Sequence, residues 1–215
     1  MAQVFPRWTN RVPLFLGAVA PLVPVLAIGV VWYWFSPEYT DVGYAPKQPV
    51  PYSHQLHVGE LGLDCRYCHA SVERSAVAVI PPTQTCMNCH HVVQRDSALL
   101  EPIRDSAATG NPMRWVRVHN LPDYAYFNHS VHIRAGVGCV SCHGQIDRME
   151  VVQQAKSLSM SWCLDCHRNP APNLRPVSEV TNMQWIKPRD HETWAADWID
   201  GHAIRPPEDC SGCHR

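Results

Sequence analysis

Lysine is scarce in this chain: three residues stand against fifteen arginines. A basic surplus is missing too, since 18 Lys and Arg face 19 Asp and Glu for a formal net charge of −1. That balance offers no attractive field to a nucleic acid. Nineteen prolines and ten cysteines in 215 residues leave little scope for long regular elements. Such a composition indicates a loop-rich chain organised by covalent or metal constraints rather than by aliphatic packing. No cysteine lies outside a single fixed pattern.

That pattern is C-x-x-C-H, and it occurs five times. The motifs are Cys65-x-x-Cys68-His69, Cys86-x-x-Cys89-His90, Cys139-x-x-Cys142-His143, Cys163-x-x-Cys166-His167 and Cys210-x-x-Cys213-His214. C-x-x-C-H is the attachment signature of a c-type haem: two thiols hold the porphyrin and the adjacent His binds the iron from one side. Zinc ribbons share the C-x-x-C pair but do not require the following His. A disulfide framework requires neither the spacing nor the His. Five covalent haems are therefore expected, with zinc and disulfides as the competing readings. The arginine excess has two readings. A guanidinium fork suits partly buried haem propionates, and a GC-rich genome gives the same bias.

The segment Pro13–Phe35 runs 23 residues without a charge. As a helix it would span about 34 Å, against a hydrocarbon core of about 30 Å. Trp32, Tyr33 and Trp34 close it where an aromatic belt meets headgroups. Pro21 and Pro24 are tolerated in a membrane helix as kinks. Arg7 and Arg11 precede the span, so the positive-inside rule leaves the N-terminus cytoplasmic and the rest outside. A cleaved signal peptide is the alternative, with Ala18-Val19-Ala20 as its cleavage site, but its apolar region is usually about 7–15 residues. An uncleaved anchor over residues 1–36 is expected, followed by a Pro-rich linker over 37–51 and a haem-bearing domain over 52–215.

The haem domain repeats internally. Tyr52-Ser53-His54-x-x-His57 precedes haems at Cys65 and Cys86, over residues 52–91. Phe127-Asn128-His129-x-x-His132 precedes haems at Cys139 and Cys163, over residues 127–168. The fifth motif, at 210–214, lies outside both repeats. Helices are expected over 92–109, closing at Gly110-Asn111-Pro112, and over 146–156; Met113–Val118 reads as a short strand. Residues 169–209 show little periodicity.

Thirteen histidines less five proximal ones leave eight for the far side of the irons: His54, His57, His91, His119, His129, His132, His191 and His202. Two imidazoles three residues apart cannot share the sixth position of one iron. Each H-x-x-H therefore ligates two different irons and pins two haems together. His119 is the fifth choice. His91 follows a proximal ligand directly and is poorly placed to reach another iron. For the C-terminal haem Met183 ranks above His202, and His/Met ligation would raise its potential above bis-His neighbours. With both axial positions filled an iron has no place for substrate, so the cofactors move electrons rather than break bonds.

F-x-H-x-x-H upstream of C-x-x-C-H resembles the class III multihaem cytochromes. That resemblance implies that His54 serves the Cys65/Cys68 haem and His129 the Cys139/Cys142 haem, with His57 and His132 on haems further away. The whole chain resembles the pentahaem cytochrome subunit of bacterial alternative complex III. The resemblance rests on one anchor, five motifs, the repeated H-x-x-H, the run Met149–Arg168 (MEVVQQAKSLSMSWCLDCHR) and Thr181–Trp185 (TNMQW). It implies a single N-terminal transmembrane helix plus a loop-rich, mainly α multihaem cytochrome c domain with little regular secondary structure. It also implies a place in a quinol-oxidising complex of the bacterial inner membrane, with the haems on the periplasmic side. The partners implied are an iron–sulfur subunit, polytopic quinol-binding subunits and a monohaem cytochrome, beside the lipid bilayer. Two other classes compete. A self-sufficient quinol dehydrogenase needs a haem beside the anchor, whereas the linker here intervenes. A multihaem reductase needs an iron with an open site, whereas all five motifs keep their His.

Overall fold

A computed structural model of the chain describes residues 4–214. It divides into two compact units, Met1–Val42 and Gly43–Arg215.

The first unit is an apolar helical run. A 3-10 turn, Arg7–Arg11, leads into α1 (Val12–Val19) and α2 (Leu22–Trp34). Pro13 sits at the start of α1, where its missing N–H is not needed. Pro21 and Pro24 cannot donate to the preceding turn, and the helix breaks at Ala20–Pro21. The stretch Arg7–Trp34 has 28 residues and a mean hydropathy of 2.5, long and apolar enough to cross a membrane. None of its most apolar window is buried within the protein. Tyr33, Trp34 and Tyr39 cluster at its end, with Trp34 and Tyr39 ring centres 4.7 Å apart.

The second unit has short helices joined by long loops. These are α3 (Thr83–His90), α4 (Glu101–Thr109), α5 (His129–Ala135), α6 (Cys139–His143), α7 (Met160–Arg168) and α8 (His191–Gly201). Single helical turns cover Cys65–Cys68 and Cys210–Cys213. Among the described residues there is no strand, only isolated bridges pairing Ala125 with His214 and Val137 with Leu174. The fold is thus helical and loop-rich, as expected.

Every C-x-x-C-H lies on a helical turn, and several turns carry an N-cap that satisfies an orphan N–H. Asp64 Oδ1 accepts from Arg66 N (2.8 Å), Ser159 Oγ from Trp162 N (3.4 Å) and Asp209 Oδ1 from Gly212 N (2.9 Å). Asn128 caps α5 in the same way, accepting from Ser130 N (3.0 Å).

Three local expectations need correction. The helix expected over 92–109 begins only at Glu101, because Gln94 turns to a positive φ of 53° and interrupts it; Gly110, left-handed at φ 75°, ends it as read. The helix expected over 146–156 shrinks to a 3-10 turn, Ile146–Arg148. The following backbone pairs elsewhere: Gln154 N donates to Tyr44 O (3.0 Å) and Gly43 N to Gln154 O (2.8 Å). Met113–Val118 is not a strand. Val116 instead pairs with the Gln48 side chain, which accepts from its N–H and donates to its carbonyl, both at 2.9 Å. Conversely, α8 lies within the tail that showed no periodicity.

The buried apolar residues are few: Val50, Ile103, Val118, Ile133, Leu174, Val180, Met183 and Ala195. Leu174 and Val180 are the largest that are fully enclosed. A core this small cannot by itself order some 170 residues.

Candidate functional site

The two H-x-x-H segments have one geometry. Tyr52 lies edge-on to His54 (ring centres 4.8 Å, 86°) and stacks on His57 (4.4 Å, 24°). Phe127 lies edge-on to His129 (4.7 Å, 86°) and packs tilted against His132 (4.5 Å, 31°). His57 Nδ1 and His132 Nδ1 each meet the carbonyl four residues back, Ser53 and Asn128, at 2.8 Å. The aromatic residue and the carbonyl fix each second imidazole.

Those imidazoles face proximal ones. The His57 and His90 ring centres are 6.1 Å apart, and so are those of His132 and His167. Two metal–imidazole bonds of about 2.0 Å, with each ring centre about 1 Å behind its nitrogen, give a ring separation of roughly 6 Å. His129 and His143 lie 6.5 Å apart and within 10° of parallel. The second His of each repeat therefore faces the second motif of its own repeat.

Hydrogen bonds leave the correct nitrogen for an iron. A carbonyl only accepts, so an Nδ1 bonded to one carries the proton and Nε2 keeps its lone pair. This holds for His69 with Val79 O (2.9 Å), His90 with Val93 O (3.0 Å), His167 with Pro207 O (2.7 Å) and His214 with Tyr124 O (3.3 Å). His129 does the same with Ala76 O (2.9 Å). His54 Nδ1 is buried without a partner. Among the described residues no group of three or more His, Cys, Asp or Glu converges as a protein-only metal cage. No disulfide pairs any of the ten cysteines. Cysteines outside disulfides, opposed imidazole pairs and Nδ1-anchored rings fit covalent haem, in which the porphyrin supplies four of the six iron ligands.

Neighbouring thiols disclose the order of the motifs in space. Burial and then Cys86 raise the Cys68 thiol. Burial and then Cys139 push Cys65 up to about 11. Burial, then Cys166, Cys139 and Cys163, push Cys142 up to about 12. Burial and then Cys213 raise Cys163. Thioether sulfurs do not titrate, so in a haem-loaded chain these effects vanish while the adjacency stays. The motifs run Cys86, Cys65, Cys139, Cys163, Cys210.

At the centre of that row six imidazoles gather: His54, His57, His69, His119, His129 and His143. Burial, then His69, His57 and His119, lowers His54 to about 4. Burial, then His119, His129, His69 and His54, lowers His143 to about 3. His119 Nε2 lies 3.3 Å from His143 Nδ1, with ring centres 4.4 Å apart, too close for an iron between them. His119 thus belongs to this cluster without standing opposite His143.

The backbone locks the repeats together. His129 N donates to Ala76 O (3.1 Å) and Ser130 N to Ser75 O (3.3 Å), in the loop after the Cys65 motif. Gln55 N donates to Met149 O (3.0 Å), in the loop after the Cys139 motif. Each H-x-x-H is therefore held by the other repeat.

The remaining candidates scatter. His191 is buried, and its Nε2 meets Leu174 O at 2.8 Å, which occupies the nitrogen an iron needs. His202 stacks on Trp198 at 3.6 Å, with Nδ1 3.0 Å from Trp198 O. His91 Nδ1 meets Met87 O at 2.8 Å. Met183 is buried, its carbonyl accepts from Gln145 Nε2 (3.2 Å), and it lines a cleft of about 650 Å³ with Asp64 and Cys65, not with Cys210 or Cys213. The fifth motif is fastened to the second repeat instead. Tyr126 N donates to Cys213 O (2.7 Å), and Arg168 pairs with Glu208 (3.3 Å).

The sequence reading missed Arg175 and Gly138, which meet beside Cys139. A Cβ at position 138 would fall 2.7 Å from Arg175 Nη2 and nearer still to Nε and Cζ. A lone Arg and a Gly give no pattern. The Thr181–Trp185 loop proves to be a junction. Thr181 donates to Asp64 (3.0 Å), Asn182 O accepts from Arg175 (2.8 Å), Gln184 donates to Asp147 (2.7 Å), and Trp185 lies 4.8 Å from the Arg175 guanidinium.

Comparison with known proteins agrees. The chain is 30% identical over 129 residues to the multiheme cytochrome c subunit of a menaquinone reductase from Nitratidesulfovibrio vulgaris (strain Hildenborough). The match takes in 59% of this chain and spans 60% of that relative. Residues 125–215 match the family of cytochrome c7 and related cytochrome c, a stretch carrying the last three motifs and the second H-x-x-H.

Proposed function

We propose that the chain is a membrane-anchored pentahaem cytochrome that relays electrons inside a quinol-oxidising complex of the alternative complex III type. The observation that carries this is the continuous row of five motifs, Cys86 to Cys210, with opposed imidazoles at His57/His90, His129/His143 and His132/His167. Bound haem supplies one-electron exchange at a six-coordinate iron.

The chain's own residues do the rest. Cysteines 65, 68, 86, 89, 139, 142, 163, 166, 210 and 213 fix the five porphyrins. His69, His90, His143, His167 and His214 are the proximal ligands. His57 would serve as the second ligand with His90, His132 with His167 and His129 with His143. His54, charge-coupled most strongly to His69 among its neighbours, takes the Cys65 site. Electrons enter or leave at the ends of the row, Cys86 and Cys210. The apolar N-terminal run crosses the inner membrane with Arg7 and Arg11 inside, so the haem unit works in the periplasm. Quinol is oxidised by neighbouring subunits, and an iron–sulfur subunit, polytopic quinol-binding subunits and a monohaem cytochrome are the expected partners.

The relative's name favours one other reading, in which the same row carries electrons towards menaquinone rather than away from quinol. Electron flow separates the two. In the purified complex, quinol added to oxidised protein should reduce the haems quickly, and the isolated chain should stay oxidised. Haems that reduce from a soluble donor and pass electrons to a menaquinone analogue, with no reduction by quinol, would establish the reverse direction. Rapid reduction of the isolated chain by quinol would overturn the relay role.

A further inference from the structure

Arg175 is a buried cation that forms no salt bridge among the described residues. It is 6% exposed. Its Nη1 donates to Asn182 O (2.8 Å), its face lies 4.8 Å from the Trp185 ring, and its Nε has no partner. The Glu179 carboxylate acts on this charge and also accepts from Asn182 Nδ2 at 2.7 Å. The guanidinium lies against Gly138, next to Cys139 in the chain, because residue 138 is glycine: any side chain there would strike it. Its backbone is fixed as well, since Arg175 N donates to Gly136 O (2.8 Å).

The first repeat is built differently at the matching place. There the residue before the cysteine is Asp64, not glycine. Asp64 is forked by Arg66 at 2.8 and 2.9 Å and receives Thr181, so its charge is neutralised locally. The charges around Cys139 are Arg175, Asp64 and Arg66; those beside Cys65 are the last two. Cys139 therefore differs from Cys65 by the buried positive charge of Arg175, on which Glu179 acts without forming a salt bridge among the described residues. A cation that cannot reach water strongly favours adding an electron to a nearby centre.

We propose that Arg175 is a potential-setting residue, holding the haem at Cys139 at a higher potential than its repeat counterpart at Cys65. The second and third haems of the row, counterparts by duplication, are then inequivalent to an electron, and the row has a built-in step between them. This rests on the haem reading given above.

The test is a spectroelectrochemical titration of the full chain with all five haems in place. Arg175→Gln removes the charge and keeps a donor, and Arg175→Lys keeps the charge. One midpoint should fall in Arg175→Gln by more than the scatter of the other four, and Arg175→Lys should restore most of it. In a Cys139→Ala/Cys142→Ala chain, Arg175→Gln should shift nothing. Unchanged midpoints in Arg175→Gln, or an equal fall in the Lys variant, would overturn the assignment. Haem content is measured on the same samples. A wild-type chain with no haem at Cys139 would overturn the haem reading itself and this inference with it.

Discussion

Replacing His132 with Ala distinguishes a ligand from a packing residue. His132 makes three contacts: Phe127 packs tilted against it at 4.5 Å, its Nδ1 meets Asn128 O at 2.8 Å, and it faces His167 at 6.1 Å. The aromatic pair accounts for about 0.5–1.5 kcal/mol. The hydrogen bond adds a similar amount, about 0.5–1.5 kcal/mol net. If packing were its whole role, His132→Ala would cost about 1–3 kcal/mol and lower Tm by several degrees, with the haem spectrum unchanged. If it ligates, one haem of five also becomes five-coordinate. A fifth of the low-spin signal should then turn high-spin, and the reduced chain should take up one equivalent of carbon monoxide. Imidazole added to the buffer should reverse both changes. His57→Ala should do the same at a different haem, and the double variant should bind two equivalents, because the two pairs are separate. A lower Tm with no carbon monoxide uptake would refute the pairing drawn from the ring geometry.

Other outcomes follow from the same contacts. Cys210→Ala with Cys213→Ala should lower the haem content from five to four, measured by mass and by pyridine haemochrome, leaving the other haems intact. Gly136→Ala should be strongly destabilising: φ is +93° and the new Cβ would strike Arg175 O, so thermal melts should fall well beyond the roughly 1 kcal/mol expected from backbone strain alone. Arg66, ahead of Thr181, holds the Asp64 carboxyl down at about 2. Its folded pKa lies below the unfolded value, so its contribution is complete above about pH 4 and is lost as pH falls towards 2. Because Asp64 is half-exposed the effect is small, and Asp64→Asn should flatten the acid limb of stability between those values. A variant as acid-sensitive as wild type there would count against the fork.

The chemistry was legible because it is local. C-x-x-C-H needs only five consecutive residues, and H-x-x-H with an aromatic two positions before it needs six. A reader of the sequence can count both. What could not be read was long-range pairing. Gln154 meets Tyr44, Gln48 meets Val116, and Arg175 meets Gly138, each across dozens of residues, and no periodicity announces them. The same pairings explain the failed helix over 146–156 and the failed strand over 113–118: their backbone groups had partners elsewhere. Helix α8 was hidden for the opposite reason. Its residues Trp194, Ala195, Trp198 and Ile199 have helical spacing, but Pro188 before it and the polar face around it obscure the pattern.

The duplication also shows where a repeat stops being a copy. Aromatic, histidine and carbonyl geometry recurs closely at Tyr52–His57 and Phe127–His132, although the first runs into a π-helical turn, Gln55–Glu60, and the second lies on an α-helix, His129–Ala135. The residues next to the cysteines do not recur. Asp64 carries a side chain that Arg66 and Thr181 engage, and Gly138 carries none, so that Arg175 can close in. If the duplication holds two haem pairs, similar geometry alone would give them similar potentials. Any directional preference must then come from the positions where the copies differ, and the 64/138 position is such a difference directly beside a haem-attachment cysteine. The exchanged backbone bonds, Ser130 to Ser75 and Gln55 to Met149, keep the copies in contact while their charges diverge. The repeat would thus build the conductor, and its departures from symmetry would set the step along it.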